Sequence, residues 1–90
     1  MQLSIREHPW APYAAEVRVN GRRLPHWVAA HEGEGWAGAY RTDDAGRIAL
    51  VGGEPVIDQR IGLVEIGPIP PFTRAILEQL TRSLEKSYGR

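Results

Sequence analysis

A mainly β fold with one C-terminal α-helix is what this sequence predicts, and three observations carry the prediction. Apolar and polar residues alternate through Glu16–Val19, and Trp36–Arg41 splits into two faces with the two-residue period of a half-buried strand. Turn chemistry recurs about every 8–12 residues, at Asn20-Gly21, Thr42–Gly46 and Gly52–Pro55. From Phe72 the period changes: Phe72, Ile76, Leu77, Leu80 and Leu84 recur every three or four residues. The expected architecture is a small antiparallel sheet or partly open barrel of about five or six short strands, with an amphipathic helix over residues 72–88.

Residues 1–15 read as an extended N-terminal arm. Leu3 and Ile5 alternate with polar neighbours, as in a short strand. Pro9 and Pro12 then bracket Trp10; proline fixes its own φ and biases the residue before it toward extended geometry. Trp10 and Tyr13 carry large apolar area that needs cover, either at one end of the chain's own core or on a neighbouring chain.

Residues 16–66 form the expected antiparallel β domain. Val17 and Val19 point inward from its first strand, and Asn20-Gly21 suits a type I′ turn, in which both central residues need positive φ. Arg22-Arg23-Leu24 returns from that turn until Pro25, which cannot donate to a central ladder, so this strand is short or at an edge. His26–His31 is apolar enough for another strand, and His31–Gly35 is a polar loop. A hairpin over residues 35–51 is the central feature, pairing Trp36–Arg41 with Arg47–Val51 across Thr42–Gly46. After the Gly52–Pro55 turn, Arg60–Ile66 reads as one last strand. Ile61 and Leu63 on one face, with Val64 and Ile66 on the other, imply cover on both sides.

Residues 67–71 are a Pro-rich joint, and residues 72–90 the C-terminal helical segment. Pro71 suits a first helical turn and Gly89 a C-terminal cap, while Lys86 and Arg90 complement the helix dipole. The apolar stripe either covers the sheet or is aimed by the joint onto a partner.

Ninety residues make one domain, and a chain this short buries only about 60–65% of its unfolded surface. Eleven Lys+Arg balance eleven Asp+Glu, and the pI is near 6.8. No long-range field therefore draws the chain to nucleic acid, an anionic membrane or a strongly charged substrate, and near-neutrality favours association. All but one of the basic residues are Arg, a residue suited to bidentate ion pairs. Cysteine is absent, which removes disulfides, thiolate metal sites and a cysteine nucleophile. No apolar window approaches the roughly 18 residues of a membrane span, nor does the N-terminus carry a signal-like apolar core. Synthesis in the cytoplasm is expected.

Catalytic constellations are not expected. His26 and His31 lie five apart and would face opposite sides of a strand, so with His8 they make no metal set. Ser4, Ser83 and Ser87 occupy no nucleophile elbow, and the pairs Asp43/Asp44 and Glu32/Glu34 fall in turns. Gly52-Gly53 lacks the Lys and Ser/Thr of a phosphate-binding loop. No catalytic residue, metal ligand or cofactor is assigned. An oligonucleotide-binding face built on Trp27, Trp36 and Tyr40 with Arg18, Arg22, Arg23 and Arg41 is the second reading, disfavoured by the zero net charge.

What remains is contact. Trp, Tyr and Arg concentrate at interface hot spots. Trp10, Tyr13 and Phe72 are the expected anchors, with Arg22 and Arg23 on the rim. The run Val17–Gly21, then Val28–Trp36, Tyr40, Asp44-Ala45-Gly46 and Arg60–Ile66 resembles small proteins of tailed bacteriophages and prophages over about residues 17–66. That resemblance transfers no catalytic residue. It implies a phage protein that is part of the particle or its assembly. With no reactive constellation in the chain, the expected role is a non-enzymatic, multi-copy virion component, such as capsid decoration, head–tail connector or tail accessory. Such a protein would be made in the host cytoplasm and bind copies of itself or a larger shell, connector or tail protein. A phage-encoded regulator or inhibitor of a host protein is the further alternative.

Overall fold

The structure, a computed structural model, describes residues 1–88, with side chains placed through residue 82. In chain order its elements are β1 (Gln2–Ser4), α1 (Ala11–Ala14), β2 (Ala15–Val19), β3 (Arg22–Arg23), β4 (Trp27–His31), β5 (Trp36–Tyr40), β6 (Leu50–Val51), β7 (Glu54–Pro55), β8 (Ile57–Ile61), β9 (Val64–Pro68) and α2 (Arg74–Tyr88). The chain is mainly β, antiparallel throughout its described sheets, with one C-terminal helix and no closed barrel.

Two sheets make the body: a four-stranded one in the order β1-β4-β5-β8 and a three-stranded one in the order β3-β2-β9. A third ladder, β6-β7, is a small hairpin. The inward faces are mostly small residues: Ala30 and Ala37 from the first sheet, Ala15, Val17, Val64 and Ile66 from the second. Alanines there let the layers approach closely. Leu3, Trp27, Ala11, Ala14 and Leu77 complete the shared core. Among the described residues only Leu3, Leu77 and Val17 are large and fully buried, so the core is thin. The Asn20-Gly21 turn is as expected, with φ of 53° and 81°, and β3 is a two-residue edge strand.

The structure corrects four expectations. Residues 1–15 are not an extended arm: β1 pairs with β4, Leu3 is fully buried, and Ala11–Ala14 is a helical turn with Pro12 inside its first turn. Proline is tolerated there because the first N–H groups of a helix have no internal partner. The 35–51 hairpin is not a ladder. Thr42 and Ile48 make one isolated bridge around the Asp43–Gly46 turn, while β5 pairs with β4 and β8. Arg60–Ile66 is two strands in different sheets, broken at Gly62, and Ile61 and Leu63 are exposed rather than covered.

The helix, finally, begins at Arg74 rather than at residue 72. Thr73 Oγ1 accepts the Ile76 N–H at 3.2 Å, so Thr73 caps it, and Pro71 and Phe72 stay in the preceding turn. Leu77 is buried in the core, so the helix packs on its own chain there. The expected contributions of Leu84, Lys86, Gly89 and Arg90 lie outside the described residues or side chains.

Candidate interaction surface

Side chains alternate across a strand, so with Ala37 and Ala39 turned inward, Trp36, Gly38 and Tyr40 share the outward face of the four-stranded sheet. Register places His31, Trp36 and Ile61 in one row across β4, β5 and β8, and Tyr40 opposite Ile57 in another. Trp36 and His31 lie with ring centroids 6.1 Å apart. His31 is fixed in turn, its Nδ1 accepting the Glu34 N–H at 2.9 Å. Between the aromatics a Cβ on Gly38 would come within 3.3 Å of Ile57 Cγ2 and 3.7 Å of Val28 Cγ2. Both aliphatic side chains therefore lean into the space that glycine leaves. Ile57 and Ile61 are 57% and 77% exposed, and Trp36 and Tyr40 half-buried. A contiguous patch of this kind marks an interaction site more often than isolated surface apolar residues do.

Three turns brace this sheet at the Trp36 end. Gly62 N–H donates to the Gly35 carbonyl at 2.9 Å, joining the β4–β5 and β8–β9 turns. Asn20 donates its N–H to the Leu63 carbonyl at 2.8 Å and accepts the Leu63 N–H on Oδ1 at 2.9 Å. A Cβ on Gly62 would lie 2.5 Å from Asn20 Oδ1, so any larger residue there must displace the Asn20 side chain and its bond to Leu63.

A second anchor ties the helix to the loop after β4. Arg74 donates from Nη2 to Glu32 Oε1 at 2.5 Å and from Nη1 to Oε2 at 2.9 Å, and also from Nη1 to the Ile66 carbonyl at 2.7 Å. Glu32 further accepts the Ile66 N–H at 2.9 Å and the Met1 amine at 3.1 Å. Burial alone would push the Glu32 carboxyl up. The hydrogen bonds from Arg74, Ile66 and the amine outweigh that and lower it to about 2. Glu32 is thus held ionised at neutral pH. It borders an open depression of about 410 Å³ with Glu16, Arg18, Glu65 and Arg74, whose charges are of both signs and largely paired. The expectation that Glu32 sits in a solvated turn fails because Arg74, 42 positions away, returns to it.

The sequence-designated anchors are dispersed. Trp10 and Phe72 pack, partly buried, against the chain's own core, Trp10 with its ring 5.7 Å from His8. Trp10 Nε1 is buried without a hydrogen-bond partner. Tyr13 is 81% exposed on α1. Arg22 and Arg23 are exposed on β3, with Arg23 Nε 4.0 Å from Glu16 Oε2. Of the cations that the oligonucleotide reading sets beside Trp36 and Tyr40, Arg18 pairs with Glu16, and Arg41 makes a bidentate pair with Asp58 through contacts of 2.6–3.2 Å. The Asp58 carboxyl is held below, and the Arg41 guanidinium above, its ordinary value by that hydrogen bonding.

No family model, no curated protein and no solved structure matched this chain. No helix among the described residues is long and apolar enough to cross a membrane.

Proposed function

We propose that this protein is a non-enzymatic structural or assembly component that works by contact, binding other protein subunits through the outer face of its four-stranded sheet. One observation carries the reading: Trp36, Tyr40, Ile57 and Ile61 stand in direct cross-strand register on a face left open to solvent. The anchors are these residues rather than Trp10 and Phe72, which are already used in the core. The sequence resemblance to small phage proteins supports a multi-copy role in a bacteriophage particle or its assembly. By strand parity the outward face of β5 and β8 carries no Lys or Arg, which counts against the oligonucleotide reading.

The test is retention on native particles or their purified subunits at rising salt. Burial of apolar surface predicts binding that Trp36→Ala or Ile61→Ser abolishes and that salt barely changes. Binding to single-stranded nucleic acid that collapses as salt rises would overturn the reading.

A further inference from the structure

β8 is the last strand of its sheet: β5 occupies one side and, among the described residues, no strand pairs with the other. Backbone parity says which groups that open edge presents. Val56 accepts from Arg41 N–H and Gly62 donates to Gly35 O, so even-numbered residues turn their N–H and C=O groups toward β5. Ile57, Gln59 and Ile61 therefore turn theirs outward, unpaired among the described residues. An open edge is a template for another strand, and proteins commonly guard it with charge. Here the guard is Ile57-Asp58-Gln59-Arg60-Ile61, a sequence that is its own charge complement when reversed.

We infer that β8 pairs antiparallel with β8 of a second copy about a two-fold axis at Gln59, joining two four-stranded sheets into one continuous sheet. In that register Ile57 faces Ile61 of the other copy, and Asp58 faces its Arg60, each pair occurring twice. The outward N–H and C=O groups of Ile57, Gln59 and Ile61 meet in the hydrogen-bonded pairs. Asp58 and Arg60 fall in the intervening pairs, where side chains stand closer. Neighbouring registers fail: an axis at Asp58 or at Arg60 sets that charge against its own copy. The two-fold also keeps Ile57 and Ile61 on the face they share with Trp36 and Tyr40, so the apolar surface becomes continuous across the dimer. Zero net charge removes the general repulsion between copies. This deepens the contact reading by naming a second copy as the partner of this one edge.

Sedimentation velocity of the full chain over a concentration series tests it. The wild type should move from 10.0 kDa toward twice that mass. Arg60→Glu, which sets like charges opposite each other twice, should weaken the dimer at least about tenfold. Gln59→Pro removes an N–H that serves no ladder within the chain, so the circular dichroism spectrum should persist while the dimer is lost. Gln59→Cys in this cysteine-free chain should oxidise to a disulfide-linked dimer, because hydrogen-bonded antiparallel partners lie about 5.5 Å apart at Cα. Ile57→Cys, whose partner is Ile61, should not. A wild type that stays monomeric at all concentrations overturns the inference, as does a dimer that survives Arg60→Glu and cross-links no better at position 59 than at 57. Monomers that still bind particles through Trp36 would end the edge pairing and leave the contact reading standing.

Discussion

Arg74 grips Glu32 with two N–H donors, at 2.5 and 2.9 Å, and so fastens the first turn of α2 to the loop between β4 and β5. The same guanidinium reaches the Ile66 carbonyl, and Glu32 accepts the Ile66 N–H. Helix, loop and β9 are thereby locked by one carboxylate.

That carboxylate makes stability depend on acid. The Glu32 carboxyl falls from an ordinary 4.5 to about 2 on folding, so its contribution is full above 4.5 and lost as pH falls through about 2. Arg74 is 41% exposed, and solvent screening reduces the contribution to about 2 kcal/mol. Urea melts should show wild type above Glu32→Gln by that amount at pH 7, with the gap closing between pH 4.5 and 2. Coincident pH profiles would show that the contact adds nothing.

The turn cluster gives a steric contrast. Gly35 and Gly21 both have positive φ, at 71° and 81°. A Cβ on Gly35 would sit 2.8 Å from the Gly62 carbonyl oxygen, whereas one on Gly21 meets nothing within 4 Å. Gly21→Ala should cost about 1 kcal/mol from backbone conformation alone. Gly35→Ala should cost about 2–3 kcal/mol, because backbone must also move. Equal denaturation midpoints would remove the Gly35–Gly62 contact from the account.

Adjacent helix positions give a packing contrast. Leu77 is fully buried and Ile76 is 40% exposed. Leu77→Ala should cost about 2–4 kcal/mol, and Ile76→Ala less than about 1 kcal/mol. Thermal melts compare them directly; a reversed order would mean that the helix presents its other face to the sheets.

Much of this architecture was legible locally. Asn20-Gly21 needs only its own φ preferences to specify a hairpin, and the helix stripe announces itself through Leu77 and Leu80. Pairing partners were not legible. β5 passes over the nearby Arg47–Val51 in favour of Ile57–Ile61, because the 41–56 excursion closes on itself through Arg41, Ala49 and Val56. Nothing local in that stretch separates a ladder from a single bridge. Composition misled over Trp10 and Phe72: large aromatics beside prolines suit an arm or a docking site equally well as a core rim. The candidate surface was half-visible. Trp36 and Tyr40 share a parity in the sequence, but only the register shows Ile61 and Ile57 beside them and water beyond. Glu32 was hidden because its partner lies on the far helix.

The most direct test of action by contact places a photo-crosslinking p-benzoylphenylalanine at position 36 or 61, and at Arg18 on the polar outer face of the second sheet as control. Irradiated in its native cells or particles, the chain should form adducts with protein subunits from positions 36 and 61 and none from 18. Adducts from 18 alone, or from 36 and 61 to nucleic acid alone, would contradict the account.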